Sequence, residues 1–448
     1  MSDNDTDTRA EQTQPAQPQS SLQMKPEALP AAFRAFLRDN DIDEDAYTAA
    51  FEHLDLRYIR LSKRVQLKEE ELGAEFPGIR PVPWCPGFYA MPHTAKLASS
   101  ALYTNGHVYG MDVSSGAAVT ALQIQPGDHC LDLCCAPGAK LCMMSDLSGE
   151  EGSVTGVDVS RERLAACRTL LLKYKHDNVR LYLADGRSFS TSAPAPPQPC
   201  SCHCRLDVNG SDGDRHGSDD ATRDRAQQQQ EQQEQQQQQH EQPLQQHGHP
   251  RPGRRKIPKR DRMHFVNGMF YCARPLLERY RLDRPAQAVG GGCTCHTHSR
   301  LYDKVMVDAE CTHDGSIKHI IKYNEWGWDT FERRFFDPHR IETLEALQRQ
   351  LLTTGFSLLR PGGRLVYSTC SFAKRQNESI ISWFLDATPT ARLLPADLPS
   401  STPHTHPREQ RLKHCIKFNP KVSGTSGLFV AVITKTEASR QQADVATD

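Results

Sequence analysis

The stretch from Arg187 to about Arg300 constrains this chain more than any other, because it interrupts a folded rhythm with text that cannot build a core. It holds proline-rich sequence, a cysteine cluster, runs of glutamine, histidines and the basic tract Arg254, Arg255, Lys256, Lys259 and Arg260. Too little of it is apolar to offset the entropy of ordering it. Residues 188–300 are therefore expected to form a long disordered, low-complexity insertion, and the 448 residues hold fewer domains than their number suggests. Met263 to Tyr280 is the exception, since Phe265, Phe270, Tyr271, Leu276 and Leu277 can pack locally against a domain. The basic tract is either an RNA-binding element or a nuclear import signal.

On both sides of the insertion the text alternates between strand and helix. Leu131-Asp132-Leu133 ends a short apolar run, a turn follows, and a helix begins near Lys140. Ser153 to Asp158 reads as a strand, with Ser160 as N-cap of a helix carrying Leu164, Cys167, Leu170 and Leu171 on one face. Val179 to Ala184 is a third strand. After the insertion come a strand at Tyr302–Asp308, a helix at Ile341–Phe356 and a turn at Arg360-Pro361-Gly362-Gly363. A strand at Arg364–Ser368, a helix at Asn377–Leu385 and a last strand at Leu428–Ile433 complete the pattern. This rhythm is that of an α/β, doubly wound, Rossmann-like sheet, placed at 76–187 and 301–436. Residues 26–75 read as a small N-terminal accessory domain, with Arg57-Tyr58-Ile59-Arg60-Leu61 as a strand bearing its basic residues on one face. Residues 1–25 and 437–448 are polar tails.

The formal net charge of −1 excludes a global basic field, so contact with nucleic acid must come from local patches. The chain starts without the apolar core of a signal peptide, and several of its 15 cysteines lie in strand-like runs. Free thiols in a reducing compartment are expected, in a soluble intracellular monomer of the nucleus, nucleolus or cytoplasm. No apolar run approaches a membrane span, and no membrane partner is expected.

The turn Asp132 to Lys140, with Cys135, Ala136, Pro137, Gly138 and Ala139 at its centre, joins a strand to a helix. Small residues there let a ligand approach the backbone, and the helix start offers unpaired N–H groups. Asp158, 20 residues past Gly138 at the end of the next strand, is suited to accept two ribose hydroxyls, and Asp185 to meet an adenine amine. Two further strand ends carry cysteine, Asp308-Ala309-Glu310-Cys311 and Ser368-Thr369-Cys370-Ser371. Singly, each thiol reads equally well as a buried small hydrophobe. Their shared place at the ligand-binding edge favours function.

In these segments the chain resembles the Sun/Nop (RsmB-type) RNA cytosine methyltransferases over about residues 30–187 and 300–435. The resemblance includes Gly110 to Ser115, Gly156-Val157-Asp158, Ala184-Asp185-Gly186, Tyr367 to Phe372, Asn377-Glu378 and Gly427 to Val430. It implies S-adenosylmethionine as cofactor, held by Cys135 to Lys140, Asp158, Asp185 and Asp308, and an RNA substrate, rRNA or tRNA. It implies that Cys370 attacks carbon 6 of cytosine. Asp308 binds the exocyclic amine or protonated ring nitrogen 3, Lys140 joins that polar cluster, and Cys311 assists loss of the carbon-5 proton and departure of Cys370. Two departures stand out. Glu310 replaces the family's usual proline and is expected to raise the pKa of Cys311. Ala139 replaces its second glycine, which is tolerable where φ is negative.

Arg57, Arg60, Lys63 and Arg64 are read as RNA contacts or as a solvated face. Cys200, Cys202, His203, Cys204, Cys293, Cys295, His296 and His298 lack the C-x₂-C spacing of common zinc sites, so no metal is expected. The rival reading is an RNA-binding protein of the same fold that has lost catalysis, supported chiefly by Glu310.

Overall fold

The computed structural model describes residues 29–49, 56–63, 65–195, 268–282, 300–320 and 322–437. Arg64, Phe265, the insertion's basic tract and both of its cysteine–histidine clusters lie outside these residues, as do residues 1–25 and 438–448.

A small antiparallel sheet comes first. Its strands β1 (Leu56–Leu61), β2 (Arg80–Pro81), β3 (Phe88–Pro92) and β4 (Val108–Gly110) lie in the order β2-β3-β1-β4. The accessory sheet thus runs to Gly110, beyond the boundary at residue 75 read from the sequence. The reason is hydrogen-bond accounting: β1 alone would leave its backbone groups unpaired, and its partners β3 and β4 lie later in the chain. Ile59, Leu72, Phe76, Met91, Leu97 and Val108 form its core.

In a strand, side chains three residues apart point to opposite faces. Arg57 and Arg60 therefore cannot share the basic face expected of them. Arg57 stays half-exposed and Lys63 is exposed, whereas Arg60 turns inward. Its guanidinium bonds to the Asp146 carboxylate and to the Tyr109 hydroxyl, both buried. Arg60 is a structural residue, not an RNA contact.

The helices Ala31–Asp39 and Glu44–Ala49 belong to a separate aromatic cluster that includes residues from 317 to 336. Phe33 meets Phe331 edge-on at 4.8 Å, and the Tyr47 hydroxyl donates to the Asp314 carbonyl at 3.1 Å.

The central sheet has nine strands. They are β5 (His129–Asp132), β6 (Ser153–Asp158), β7 (Val179–Leu183), β8 (Met269–Cys272), β9 (Tyr302–Asp308), β10 (Leu359–Thr369), β11 (Ala391–Leu394), β12 (Ile416–Phe418) and β13 (Leu428–Lys435). The order is β11-β13-β10-β9-β5-β6-β7-β8, with β12 beside β13. β10, β9, β5, β6 and β7 are parallel. Such strands are covered on both faces, which explains why β5 and β6 are buried throughout. Helices Pro338–Leu358 and Glu378–Ala387 supply Leu351, Leu352, Phe356, Ile380, Ile381 and Phe384 to the main core.

The chain leaves β5 in one direction, through β6 and β7, and returns on the other side as β9 and β10. The strand ends at this reversal are where open α/β sheets bind ligands. The reversal puts Asp132, Asp158, Asp308 and Thr369 on one edge.

Part of the insertion is sheet. Met269–Cys272 pairs antiparallel with β7, followed by helix Arg274–Tyr280. Farther out, Ala193 bridges to Arg300, its N–H donating to the Arg300 carbonyl at 2.8 Å. Among the described residues, no helix is long and apolar enough to cross a membrane.

Candidate active site

The reversal opens into a cavity of about 790 Å³, lined among others by Cys134, Ala136, Pro137, Lys140, Asp158, Asp185, Asp308, His313 and Cys370. Cys135, Gly138 and Ala139 are not on its wall. The Cys135 thiol is buried and its N–H donates to the Val157 carbonyl at 3.0 Å. Gly138 has φ of 110°, and a Cβ there would come within 3.3 Å of Cys167. That glycine serves the turn and the close packing of the helix Arg161–Lys173 rather than a ligand. Ala139 opens the helix Ala139–Ser148, where φ is negative, so the missing second glycine costs nothing.

Two carboxylates, Asp158 and Asp308, line the polar side, with Asp132 buried beside them. Asp132 is buried, accepts the Cys134 N–H at 3.2 Å, and is raised to about 7 by burial and by the charges of Asp308 and Asp158. Asp158 is buried too; it accepts the Ser160 N–H at 2.9 Å and stands 3.5 Å from Arg163. Asp308 accepts the Ser368 hydroxyl at 2.6 Å and the Lys140 ammonium at 2.8 Å. Lys140 also donates to Ser115 at 3.1 Å. Burial pulls the Lys140 pKa down, but the charge and hydrogen bond of Asp308 outweigh it, so the ammonium is held above its ordinary value.

Asp185 lies in the cavity with its carboxylate held by the Arg187 fork at 2.6 to 3.0 Å. Those bonds lower its pKa and occupy most of its acceptor sites. Next to Asp158, Val159 is 73% exposed, an apolar side chain held open at the same wall.

The two cysteines meet at the far end. Cys311 Sγ is 3.5 Å from Cys370 Sγ. The Gly315 N–H donates to the Cys370 carbonyl at 2.9 Å, and the buried Asp314 carboxylate accepts the Phe372 N–H at 2.6 Å. These bonds clamp the loops after β9 and β10 together. The hydrogen bond from Cys311, followed by that from His313, overcomes burial and lowers Cys370 to about 6. Cys311 is pushed up by the same hydrogen bond and by burial. Glu310 is not the cause, contrary to the expectation from sequence: its side chain is exposed, and Cys370 itself raises Cys311.

Sequence reasoning missed His313. Its Nδ1 lies 2.9 Å from Cys370 Sγ and 3.6 Å from Cys311 Sγ. The three ligand-type atoms lie within 4.8 Å of one another. Zinc bond lengths of about 2.3 Å to sulfur and 2.1 Å to nitrogen at a tetrahedral angle would separate S and N by about 3.6 Å. The 2.9 Å contact is a hydrogen bond, not two ligands sharing an ion. One histidine two residues past a cysteine leaves no periodic signal in sequence.

Among solved structures, a methyltransferase homolog protein from Pyrococcus horikoshii aligns with a TM-score of 0.54 at 19% identity, covering 91% of this chain and 100% of that one. NSun6 from Pyrococcus horikoshii, crystallised with SFG, aligns at 0.57 and 13% identity, covering 92% and 100%. Ribosomal RNA small subunit methyltransferase F is 29% identical over 139 residues in Escherichia coli O9:H4 (strain HS) and 32% over 139 in Klebsiella pneumoniae (strain 342). Each match covers 31% of this chain and 26% of the relative, so the chain spans about a quarter of the length of the curated relatives it matches. The profile described as 16S rRNA methyltransferase RsmB/F matches residues 119–196 and 280–434, more than half of the chain, including both cysteine-bearing strand ends. With this match comes S-adenosylmethionine as cofactor, and the chain belongs to the RsmB/F methyltransferase family.

Proposed function

We propose that the chain methylates carbon 5 of cytosine in RNA, rRNA or tRNA, through a covalent adduct between Cys370 and carbon 6. The observation that carries this reading is the 3.5 Å contact between the Cys370 and Cys311 thiols at adjacent strand ends, with Cys370 lining one cavity with Asp158 and the Lys140–Asp308 pair.

The donor set fits the cofactor. Asp158 is a buried carboxylate facing the cavity, suited to two ribose hydroxyls, and Val159 gives an adenine an apolar wall. Asp185 meets the adenine amine with the acceptor capacity that Arg187 leaves. S-adenosylmethionine, when bound, supplies an electrophilic methyl group.

The rest falls to the chain's own residues. Carbon 5 of cytosine is a weak nucleophile. Addition of the Cys370 thiolate to carbon 6 pushes the ring's electrons toward carbon 5, making it enamine-like. Asp308, oriented by Ser368 and Lys140, accepts from the exocyclic amine or a protonated nitrogen 3 and so discriminates against uracil. The carbon 5 proton passes to solvent water, the electrons of its bond restore the carbon 5–carbon 6 double bond, and the sulfur–carbon 6 pair returns to Cys370. Cys311, held protonated, donates to that departing thiolate and favours release. Arg57 and Lys63, exposed on or beside β1, remain the accessory contacts to RNA.

The rival reading of a non-catalytic RNA binder rested on Glu310, whose exposed side chain does not set Cys311, and no other observation favours it. The test is a pair of variants on RNA with cofactor, read by denaturing gel and bisulfite sequencing. Cys370→Ala is expected to give neither adduct nor product, and Cys311→Ala to accumulate a denaturation-resistant protein–RNA complex. Trapping by Cys370→Ala alone would reverse the two roles, and no adduct or product with any form, wild type included, would sink the proposal.

A further inference from the structure

We propose that His313 is the general base that takes the proton of the Cys370 thiol, a role that rests on reading Cys370 as the nucleophile. Geometry comes first. Its Nδ1 is 2.9 Å from Cys370 Sγ, within proton-transfer reach, and farther, at 3.6 Å, from Cys311 Sγ. The ring belongs to the cavity wall, on the side where a base must enter.

The backbone adds an independent observation. His313 has φ of 60°, a left-handed conformation that side chains other than glycine rarely adopt. Such a conformation persists where the surroundings over-determine it, often at sites of function. Here the Thr312 N–H donates to the Gln376 side-chain carbonyl at 3.1 Å before it, and the Gly315 N–H to the Cys370 carbonyl after it, which closes the loop on both sides. The left-handed residue is thereby held with its ring against the sulfur.

The charges facing the pair agree. Cys370, Asp308 and Asp314 favour a protonated His313, while the neighbouring His319 ring, centred 5.8 Å away, is held below its ordinary pKa by burial and by His313. His313 is raised, first by its hydrogen bond to Cys370 and against burial, as Cys370 is lowered. Lys140 carries a positive charge that Cys370 feels from the other side.

The step is balanced. A neutral ring protonated on Nε2 accepts the thiol proton at Nδ1, and the freed sulfur lone pair forms the bond to carbon 6. When that bond breaks, the pair returns to sulfur and the imidazolium returns its proton.

The test measures alkylation of Cys370 by iodoacetamide from pH 5 to 9 in the full chain without RNA, read on the Cys370 peptide by mass spectrometry. The wild-type midpoint is expected near 6. His313→Gln and His313→Gly should move it up by at least one unit, toward the ordinary thiol value of about 8.5, which is about threefold or more in rate at pH 6.5. His313→Gly should fold at least as well as wild type, because glycine accepts the left-handed backbone, so its lost reactivity is not misfolding. Added imidazole should restore part of the rate in His313→Gly. An unchanged midpoint in both variants overturns the assignment. A shifted midpoint in a wild-type background that forms no RNA adduct upholds the thiol–imidazole pair and fells the cytosine reading instead.

Discussion

The helix Ala139–Ser148 contributes one partner to each of two ion pairs, and the two could hardly differ more in what they do. Near its end, Asp146 meets Arg60 with side-chain exposures of 0% and 7%, sealed by Tyr109. At its start, Lys140 meets Asp308 with exposures of 17% and 28%, in a cavity wall. Each sets a basic side chain against an aspartate, and the charges are the same. What separates them is spare capacity that faces open volume. Lys140 has three donors, and Ser115 and Asp308 use two. A pair closed on all sides holds a fold, whereas a pair with an unused donor facing open volume can hold a substrate.

The largest expected effect follows from closing the first pair. Arg60→Ala leaves a buried carboxylate without its partner, a loss of about 3–5 kcal/mol. Thermal melting should show a severely destabilised protein, and a melting point within a degree of wild type would break the contrast. Lys140→Ala should do the opposite. It should cut turnover by about 10²–10³-fold, as loss of a preorganised donor does, while destabilising less than Arg60→Ala, because Asp308 keeps the Ser368 hydroxyl and reaches the open cavity. Full activity in that variant would show the second pair to be as structural as the first.

Asp158 sharpens the comparison, since it is as buried as Asp146 but faces the cavity. Each charge-assisted bond it makes to a ribose hydroxyl is worth about 1.5–3 kcal/mol. Calorimetry on folded Asp158→Ala should therefore find cofactor affinity down at least tenfold, and unchanged affinity would remove Asp158 from the binding set. The smallest effect belongs to residues 198–264. Excising them should leave the melting point and turnover within error, and a drop of many degrees would show that they carry structure.

The strands of the parallel sheet were legible because burial on both faces writes a continuous apolar run. Ser153–Asp158 and Tyr302–Asp308 are strands with the bounds that the sequence suggests. Their ends then locate the carboxylates and thiols, since chain reversal brings parallel strand ends to one edge. The accessory sheet was harder to read. β2 has two residues and β4 three, too short for alternation to register. Arg60 was misread because its partner lies 86 residues away, and nothing near Arg60 in the chain announces a buried carboxylate. Gly138 looked like a ligand-facing glycine, yet the atom it accommodates is on the helix Arg161–Lys173, beyond the next strand. His313 was invisible for the same reason: its meaning comes from a sulfur 57 residues downstream.

The bridge between Ala193 and Arg300 fixes the two ends of the excursion between them at neighbouring points on the sheet's margin. For a loop whose ends are pinned together, each doubling of length costs only about 0.6 kcal/mol. Insertion there is close to thermodynamically silent wherever it spares Met269–Cys272, which pairs with β7, and the helix Arg274–Tyr280, so natural selection is free to lengthen or shorten the rest without disturbing the ligand-binding edge. The same margin is a ready socket for engineering, where a fluorescent reporter or an RNA-targeting module could be spliced between the ends while the methyl-transfer chemistry stays in register.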